Sequence, residues 1–236
     1  MAVHVLTDAT IWYDGQDLTS QTNKVELTES ASELDATTFG SGGWEEKVGG
    51  LKKVTAMGEG FIDYSEPDLS FFNNVGTAGK LFSVSMGGAD LATAFASQQL
   101  TGTYSHGGTV GELEKFSLAM TGSTGPGLVK GVLLKPKTTV SGNTNGTSYQ
   151  AGAIATGQTG YVAIHCFSAG TTADVIVESD DDTGFGSATT RFTNTITAAG
   201  GTWATALAGP ITDDWWRVRT ANVTGSFSIA VLFGIR

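Results

Sequence analysis

Apolar and polar residues alternate along most of this chain with the two-residue period of half-buried β-strands. The clearest case is Asn23 to Ser30, where Val25 and Leu27 fall on one face and Lys24, Glu26 and Thr28 on the other. Ala9 to Tyr13 is a short β-rich run ended by Asp14-Gly15, a pair suited to a two-residue hairpin turn. Val54 to Tyr64 is another extended segment, in which Gly58 and Gly60 suggest a bulge or a close backbone approach to a neighbour. Lys80 to Met86, Ala92 to Tyr104 and Glu112 to Thr121 keep the same period, the last setting Phe116, Leu118 and Met120 against Lys115, Ser117 and Ala119. One helix is predicted, over Glu66 to Gly79. Ser65 or Asp68 would cap it, Pro67 suits its first turn, and Leu69, Phe72 and Val75 share a face. Gly76 or Gly79 would close it.

Turn-rich Gly122-Ser123-Thr124-Gly125-Pro126-Gly127 is the clearest boundary. Strand patterning resumes beyond it in Leu128 to Lys135, Tyr161 to Phe167, Ala173 to Glu178, Thr189 to Ile196, Trp203 to Ala206, Trp215 to Thr220 and Phe227 to Phe233. The expected fold is therefore mainly β: a β-sandwich over residues 1–122 with one short helix, a spacer over 123–127, and a second β-sandwich or jelly-roll-like domain over 128–236. A short echo, Gly79-Lys80-Leu81-Phe82-Ser83-Val84 against Gly160-Tyr161-Val162-Ala163-Ile164-His165, leaves internal duplication open.

Composition narrows the functional classes. The 236 residues carry 13 basic against 23 acidic side chains, a net charge of −10, which argues against gripping nucleic acid by its phosphates. Only 15% of residues are charged, compatible with wide burial of surface in an assembly. The single Cys166 excludes an internal disulfide and reads as a buried thiol. The first residues lack the basic-then-apolar pattern of a signal peptide, and no window approaches a membrane span, so synthesis and assembly in a cytoplasm are expected.

Candidate chemistry is sparse. His4, His106 and His165 lie far apart and lack metal-ligand spacing. Ser179 to Gly184 could present carboxylates to calcium but lacks the later bidentate Glu, so an acidic turn is favoured. Asp213 to Arg219 admits a lectin reading with Trp under a sugar ring. The favoured reading places Trp216 and Val218 in the core and Trp215, Arg217 and Arg219 outward. Phosphate loops, a serine nucleophile elbow and paired catalytic carboxylates are missing as motifs, so no enzyme and no cofactor are expected.

Between the strands at Asn23 and Val54 the chain makes a long Gly-rich excursion that carries Phe39, Trp44, Glu45, Glu46 and Lys47, far longer than a hairpin turn requires. Asp35-Ala36-Thr37-Thr38-Phe39, Trp44, the expected turn Gly49-Gly50-Leu51 and the strand after it resemble the N-terminal half of siphophage major tail tube proteins. The second half, through Gly160 to His165, Ala173 to Asp182, Trp216-Arg217-Val218 and Ser226 to Val231, resembles a β domain common in phage tail proteins.

The resemblance implies a self-assembling ring subunit of the virion tail, stacked into a tube that conducts double-stranded DNA without specific binding. It also implies tape measure, tail terminator and tail-tip partners. Glu26, Glu29, Glu59 and Asp63 are then expected to make a negatively charged lumen. Phe39, Trp44, Glu45, Glu46 and Lys47 are expected at an inter-ring or inter-subunit contact. Duplicated halves would let three chains supply six pseudo-equivalent units, slightly favoured over a ring of six chains. The alternatives are a receptor- or carbohydrate-binding sandwich and a capsid decoration protein.

Overall fold

A computed structural model of the protein describes residues 8–63 and 66–236. The fold is mainly β, with sixteen strands in two antiparallel sheets, one α-helix and one short 3-10 turn among the described residues. The first strands are β1 (Thr10–Tyr13), β2 (Gln16–Asp17), β3 (Thr22–Asp35) and β4 (Lys47–Phe61). The helix α1 (Glu66–Asn74) follows, then β5 (Lys80–Ser85), β6 (Thr93–Gly107) and β7 (Lys115–Gly122). Asp14-Gly15 joins β1 to β2 as the sequence predicts, both residues at positive φ, 48° and 82°. A Cβ at Gly15 would also lie 2.5 Å from the Cys166 carbonyl oxygen, so close approach requires glycine there as much as the turn does.

β6 organises this half, because it is long enough to belong to two layers. Its start pairs with β5, which pairs with β1, while Gln99 to Gly107 pair with β7, which pairs with β4 and through it with β3. The two layers close on a core of Ile11, Tyr13, Phe82 and Val84 against Ala56, Phe116, Leu118 and Met120. On β4, a Cβ at Gly60 would fall 2.0 Å from the Gln21 carbonyl oxygen, which is the close approach read from the sequence; Gly58 has nothing within 4 Å.

The helix differs from its prediction. It stops at Asn74, where Gly76 takes a left-handed φ of 81° and donates its amide to the Thr101 carbonyl at 2.8 Å. The residue that anchors it is Phe71, 1% exposed and in ring contact with Tyr13, Tyr104 and Phe116. Leu69, Phe72 and Val75, which the sequence spacing put on one face, all point to solvent. The spacing of three is shared by buried and exposed helical faces, and the single better-packed Phe71 decides the rotation. Ser65 lies outside the described residues.

The second half adds β8 (Val129–Val140), β9 (Thr144–Asn145), β10 (Tyr149–Gln150), β11 (Thr159–Ser168), β12 (Thr172–Asp180) and β13 (Thr189–Ile196). It ends in β14 (Gly200–Ala208), β15 (Trp215–Thr224) and β16 (Phe227–Ile235). One layer runs β14-β11-β16-β8 and the other β10-β15-β12-β13, with β9 also on β15. Between them lie Val162, Ile164, Val231 and Phe233 from one side and Val175, Val177, Trp216 and Val218 from the other. Trp216 stacks on Phe233 at 4.6 Å and donates its Nε1–H to the Gly152 carbonyl at 3.0 Å.

The two halves share a sheet. β8 pairs with β16 and also with β6, from Thr93 opposite Val132 to Ala96 opposite Val129. Residues 123–128 connect β7 to β8. A second seam lies where β1 and β5 meet β11. There the fully buried His165 holds Ser83 Oγ at 2.9 Å through Nε2 and accepts the Gly15 amide at 3.3 Å through Nδ1, beside the Trp12 ring at 5.6 Å. Burial pushes its pKa down to about 3, only slightly opposed by the charge of Asp17.

Since His165 is held neutral, the unfolded chain binds the extra proton between its ordinary pKa and about 3. Stability contributed by this site is complete above pH 6.5 and falls as the pH drops below it. Urea unfolding of the wild type should weaken from pH 7 to pH 5 by up to about 1.4 kcal/mol per pH unit from this group. The slope should flatten in His165→Gln. Phe71→Ala should cost about 3–5 kcal/mol in the same assay, and Phe72→Ala less than about 0.5.

Candidate assembly surface

The strands β3, β4, β7 and the end of β6 form a four-stranded antiparallel sheet whose two faces differ. One carries Val25, Leu27, Ala56, Phe116, Leu118 and Tyr104, and packs into the core under Phe71. The other carries Lys24, Glu26 and Thr28 on β3, Lys53, Thr55, Met57, Glu59 and Phe61 on β4, Ser117 and Ala119 on β7, and Thr103 and Ser105 on β6. That face is mostly polar, with Met57 and Phe61 partly exposed on it, and no strand or helix covers it among the described residues.

Among the described residues both edges of this sheet are open. There β3 is bonded to β4 alone. β6 has β7 along one side; on its other side β5 ends at Gln99, and residues 76–77 cap Thr101 through two backbone hydrogen bonds. Past Thr101 no further strand pairs with that side of β6 among the described residues. An unpaired row of backbone donors and acceptors on a flat strand is a template for another chain.

At one end the sheet outgrows itself. β7 reaches only Thr55 on β4, but β3 and β4 go on pairing to Asp35 opposite Lys47. The overhang from Glu29 to Asp35 is a two-stranded ribbon roughly 20 Å long at the rise of a strand. The last part of the excursion read over Thr38 to Leu51 is thus strand: Lys47 to Leu51 belong to β4, and Gly49, expected in a turn, lies opposite Glu33. The residues paired across the ribbon sustain the ladder where propensity alone predicted its end. Only residues 36–46 form the tip. There Thr38 caps the 3-10 turn Phe39–Ser41: its Oγ1 accepts from Gly40 N, and its own amide donates to Ser41 Oγ at 3.1 Å.

Phe39 is wholly exposed, Leu51 and Trp44 are 87% and 81% exposed, and Leu34 and Val48 are each about half exposed. Glu45 and Lys47 form an exposed ion pair with each other, and Glu46 donates its amide to Thr37 Oγ1 at 3.0 Å. All five residues read from the sequence as contacts are therefore brought together at the tip. An isolated two-stranded ribbon is marginal in water, and this one presents large apolar side chains.

The four carboxylates expected in a lumen are not brought together. Glu26 and Glu59 share the polar face, but Lys24 neutralises Glu59 at 3.0 Å, and Lys53 and Lys115 add positive charge. Glu29 is on the opposite face, level with Val54, where the Arg236 guanidinium grips it with both nitrogens and also donates to the Leu128 carbonyl at 2.6 Å. That guanidinium holds the Glu29 carboxyl below the usual carboxylate range. Asp63 lies past the end of β4 and accepts from Gln21 Nε2 at 3.4 Å. Strand parity places Glu26 and Glu29, three residues apart, on opposite faces, and cross-strand pairing makes the polar face mixed in charge rather than acidic.

The other sequence candidates have structural places. Asp180 accepts from the Ser187 amide at 2.9 Å and the Asp181 amide at 2.8 Å, and Asp182 from Gly184 N at 2.5 Å, as carboxylates in a tight turn do. Asp213 is held by Ser179 and Arg191, and Asp214 accepts from Gln150. Trp216 and Val218 are inside, while Arg217 and Arg219 bind Glu178, with Arg217 over the Phe185 ring. Among the described residues no three His, Cys, Asp or Glu side chains are arranged to hold a metal. His106 bonds Glu114 at 2.8 Å, and His4 lies outside the described residues.

No family model matches the chain, and no curated protein matches it. Among solved structures, a chain of a native gene transfer agent virion aligns at TM-score 0.41 and 19% identity, covering 51% of this chain and 95% of its own. One from the tail of an empty gene transfer agent particle, refined with C6 symmetry, aligns at 0.39 and 18% over 47% of this chain and 84% of that one. The Dit protein of phage SPP1, described as a paradigm of a hub adsorption apparatus, aligns at 0.37 and 14% over 98% of this chain and 100% of its own. With TM-scores below 0.5, these likenesses carry no part of the functional argument, which rests on the sheet.

In the free monomer the ribbon should open far more readily than the sheet that supports it. Hydrogen exchange at low protein concentration should find the amides of Glu33 to Asp35 and Lys47 to Gly49 exchanging at least about 100-fold faster than those of Phe116 to Met120.

Proposed function

We propose that the protein is a structural subunit of a bacteriophage tail that closes into a ring and stacks to form the tail tube. The observation that carries this reading is the four-stranded sheet with two open edges and one bare polar face. In order across the sheet, β3 runs up, β4 down, β7 up and β6 down. A second copy placed beside the first in the same orientation brings its up-running β3 against the down-running β6. The antiparallel alternation then continues unbroken, and repetition about an axis removes every open edge. The polar faces would line the bore.

A bore lined by Thr and Ser, Lys24–Glu59 pairs, Met57 and Phe61, with Glu26, Lys53 and Lys115 as charges of both signs, suits passage of double-stranded DNA. It offers no cluster of cations that would hold phosphates and no dense carboxylate wall that would repel them. The ribbon overhanging one end, with Phe39 and Trp44 at its tip and Glu45, Glu46 and Lys47 around them, would cover its apolar side chains on the adjacent ring or subunit. Because the two ends of the sheet differ, that contact is head to tail and open-ended. The second half has neither a counterpart of the ribbon nor a helix among its described residues, which favours six chains per ring over three. The tape measure protein within the bore, and terminator and tail-tip proteins at the ends, are the partners this role requires. The protein acts in the virion after assembly in the host cytoplasm, without enzymatic activity.

Negative-stain electron microscopy of the purified protein at rising concentration tests the reading. Hollow striated tubes are expected; rings that stop at one or two layers would instead make it a hub at the tail end, and particles that stay small and globular would sink it. Trp44→Ala should leave a folded protein that still closes rings yet lengthens into tubes poorly, and wild-type tube yield from that variant would remove the tip's role.

A further inference from the structure

The exposed row of α1 has a matching surface on the same molecule. α1 sits at the β6 edge of the sheet, on its core-facing side: Phe71 packs on Tyr104 and Phe116, and the segment just after the helix caps Thr101 on that edge. Leu69, Phe72 and Val75 project from it, 57%, 68% and 46% exposed. At the opposite edge, beside β3, no helix plays the part of α1 among the described residues. The two layers of the N-terminal half gape there into an apolar cleft of about 230 Å³ lined by Val25, Leu27, Val84, Met86, Phe95 and Leu128. One edge thus carries an apolar ridge and the other an apolar hollow, both on the core-facing side of the same sheet.

We propose that α1 of one protomer plugs the open side of its neighbour, with Leu69, Phe72 and Val75 seated in the cleft beside Val25, Leu27 and Met86. This rests on the ring reading above and adds to it a second, side-chain layer of the lateral contact, behind the strand ladder. The occupant is a second copy because edge pairing of β3 with the next β6 brings ridge and cleft onto one side of one junction. Any other partner would have to displace that alignment. Backbone pairing alone is indifferent to sequence and to register, whereas a Phe in a fitted hollow fixes both.

Single-cysteine additions test the contact, since Cys166 is buried. Phe72→Cys protein mixed with Met86→Cys protein, at concentrations where the wild type forms rings by light scattering, should give covalent dimers with a short bismaleimide, and neither variant alone should do so. Phe72→Ser, at an exposed position, should keep the wild-type melting temperature and raise the concentration needed for half assembly at least about tenfold. Rings that form without mixed crosslinks, or Phe72→Ser rings of wild-type strength, overturn the plug and leave the ring reading standing. A protein that stays monomeric at every concentration overturns both.

Discussion

The open backbone edges of β3 and β6 are the constraint on which the remaining surface features turn. A β-strand edge leaves amides and carbonyls unpaired along its length, and soluble proteins usually blunt such edges with bulges, prolines or inward charges. Over Lys24 to Ala31 β3 has no proline and no register shift against β4, and its one inward charge, Glu29, is taken up by Arg236. On its outer face Lys24 pairs with Glu59 across the strand, and Thr28 donates to Glu26. The bare polar face, the overhanging ribbon and the outward row of α1 each look like defects in a monomer. They become consistent once both edges are paired.

That consistency depends on a rigid base, which the second half supplies. Strand pairing from β6 through β8 to β16 makes the halves one sheet, and the His165–Ser83–Gly15 contacts pin the first hairpin against β11. Arg236, at the other end of the chain, fastens the root of the ribbon through Glu29. The ribbon therefore projects from a point held by residues far apart in sequence, and a stacking contact at its tip can transmit geometry to the sheet rather than merely flex.

The period-two pattern made most of the fold legible, because half-buried strands write their burial directly into alternation: Val25 and Leu27 inside, Lys24 and Glu26 outside, Trp216 and Val218 in the second core. The β1–β2 turn was equally plain, since few residue pairs other than Asp-Gly take two positive φ values at low cost. Three things were hidden. The strand ends were hidden because exposed ribbon residues obey no burial pattern. The helix rotation was hidden because Leu69, Phe72 and Val75 satisfy the same spacing as a core stripe, and only the packing of Phe71 against rings from β1, β6 and β7 decides between them. The pairing of Glu29 with Arg236 and of Glu59 with Lys24 was hidden because charge counted along a sequence says nothing of which cations the fold will bring alongside. The place of Phe39 and Trp44 on an exposed tip was legible for a different reason: the excursion that bears them is longer than a hairpin turn requires.

Two ways of pairing the open edges compete, and the geometry separates them. A twofold axis could join β3 to the β3 of a second copy, also antiparallel. Such a pair would leave both β6 edges open, point the two ribbon tips in opposite directions, and set each α1 ridge at the far side from either cleft. Pairing β3 with β6 instead uses each edge once, keeps all tips at one end, and brings ridge to cleft at every junction. Only the second arrangement would pair both backbone edges and cover the α1 ridge, and only it would leave the ribbon tips aligned for a further layer. Directional, open-ended growth of the kind a tube requires would then follow from an even number of alternating strands whose two edges are unlike.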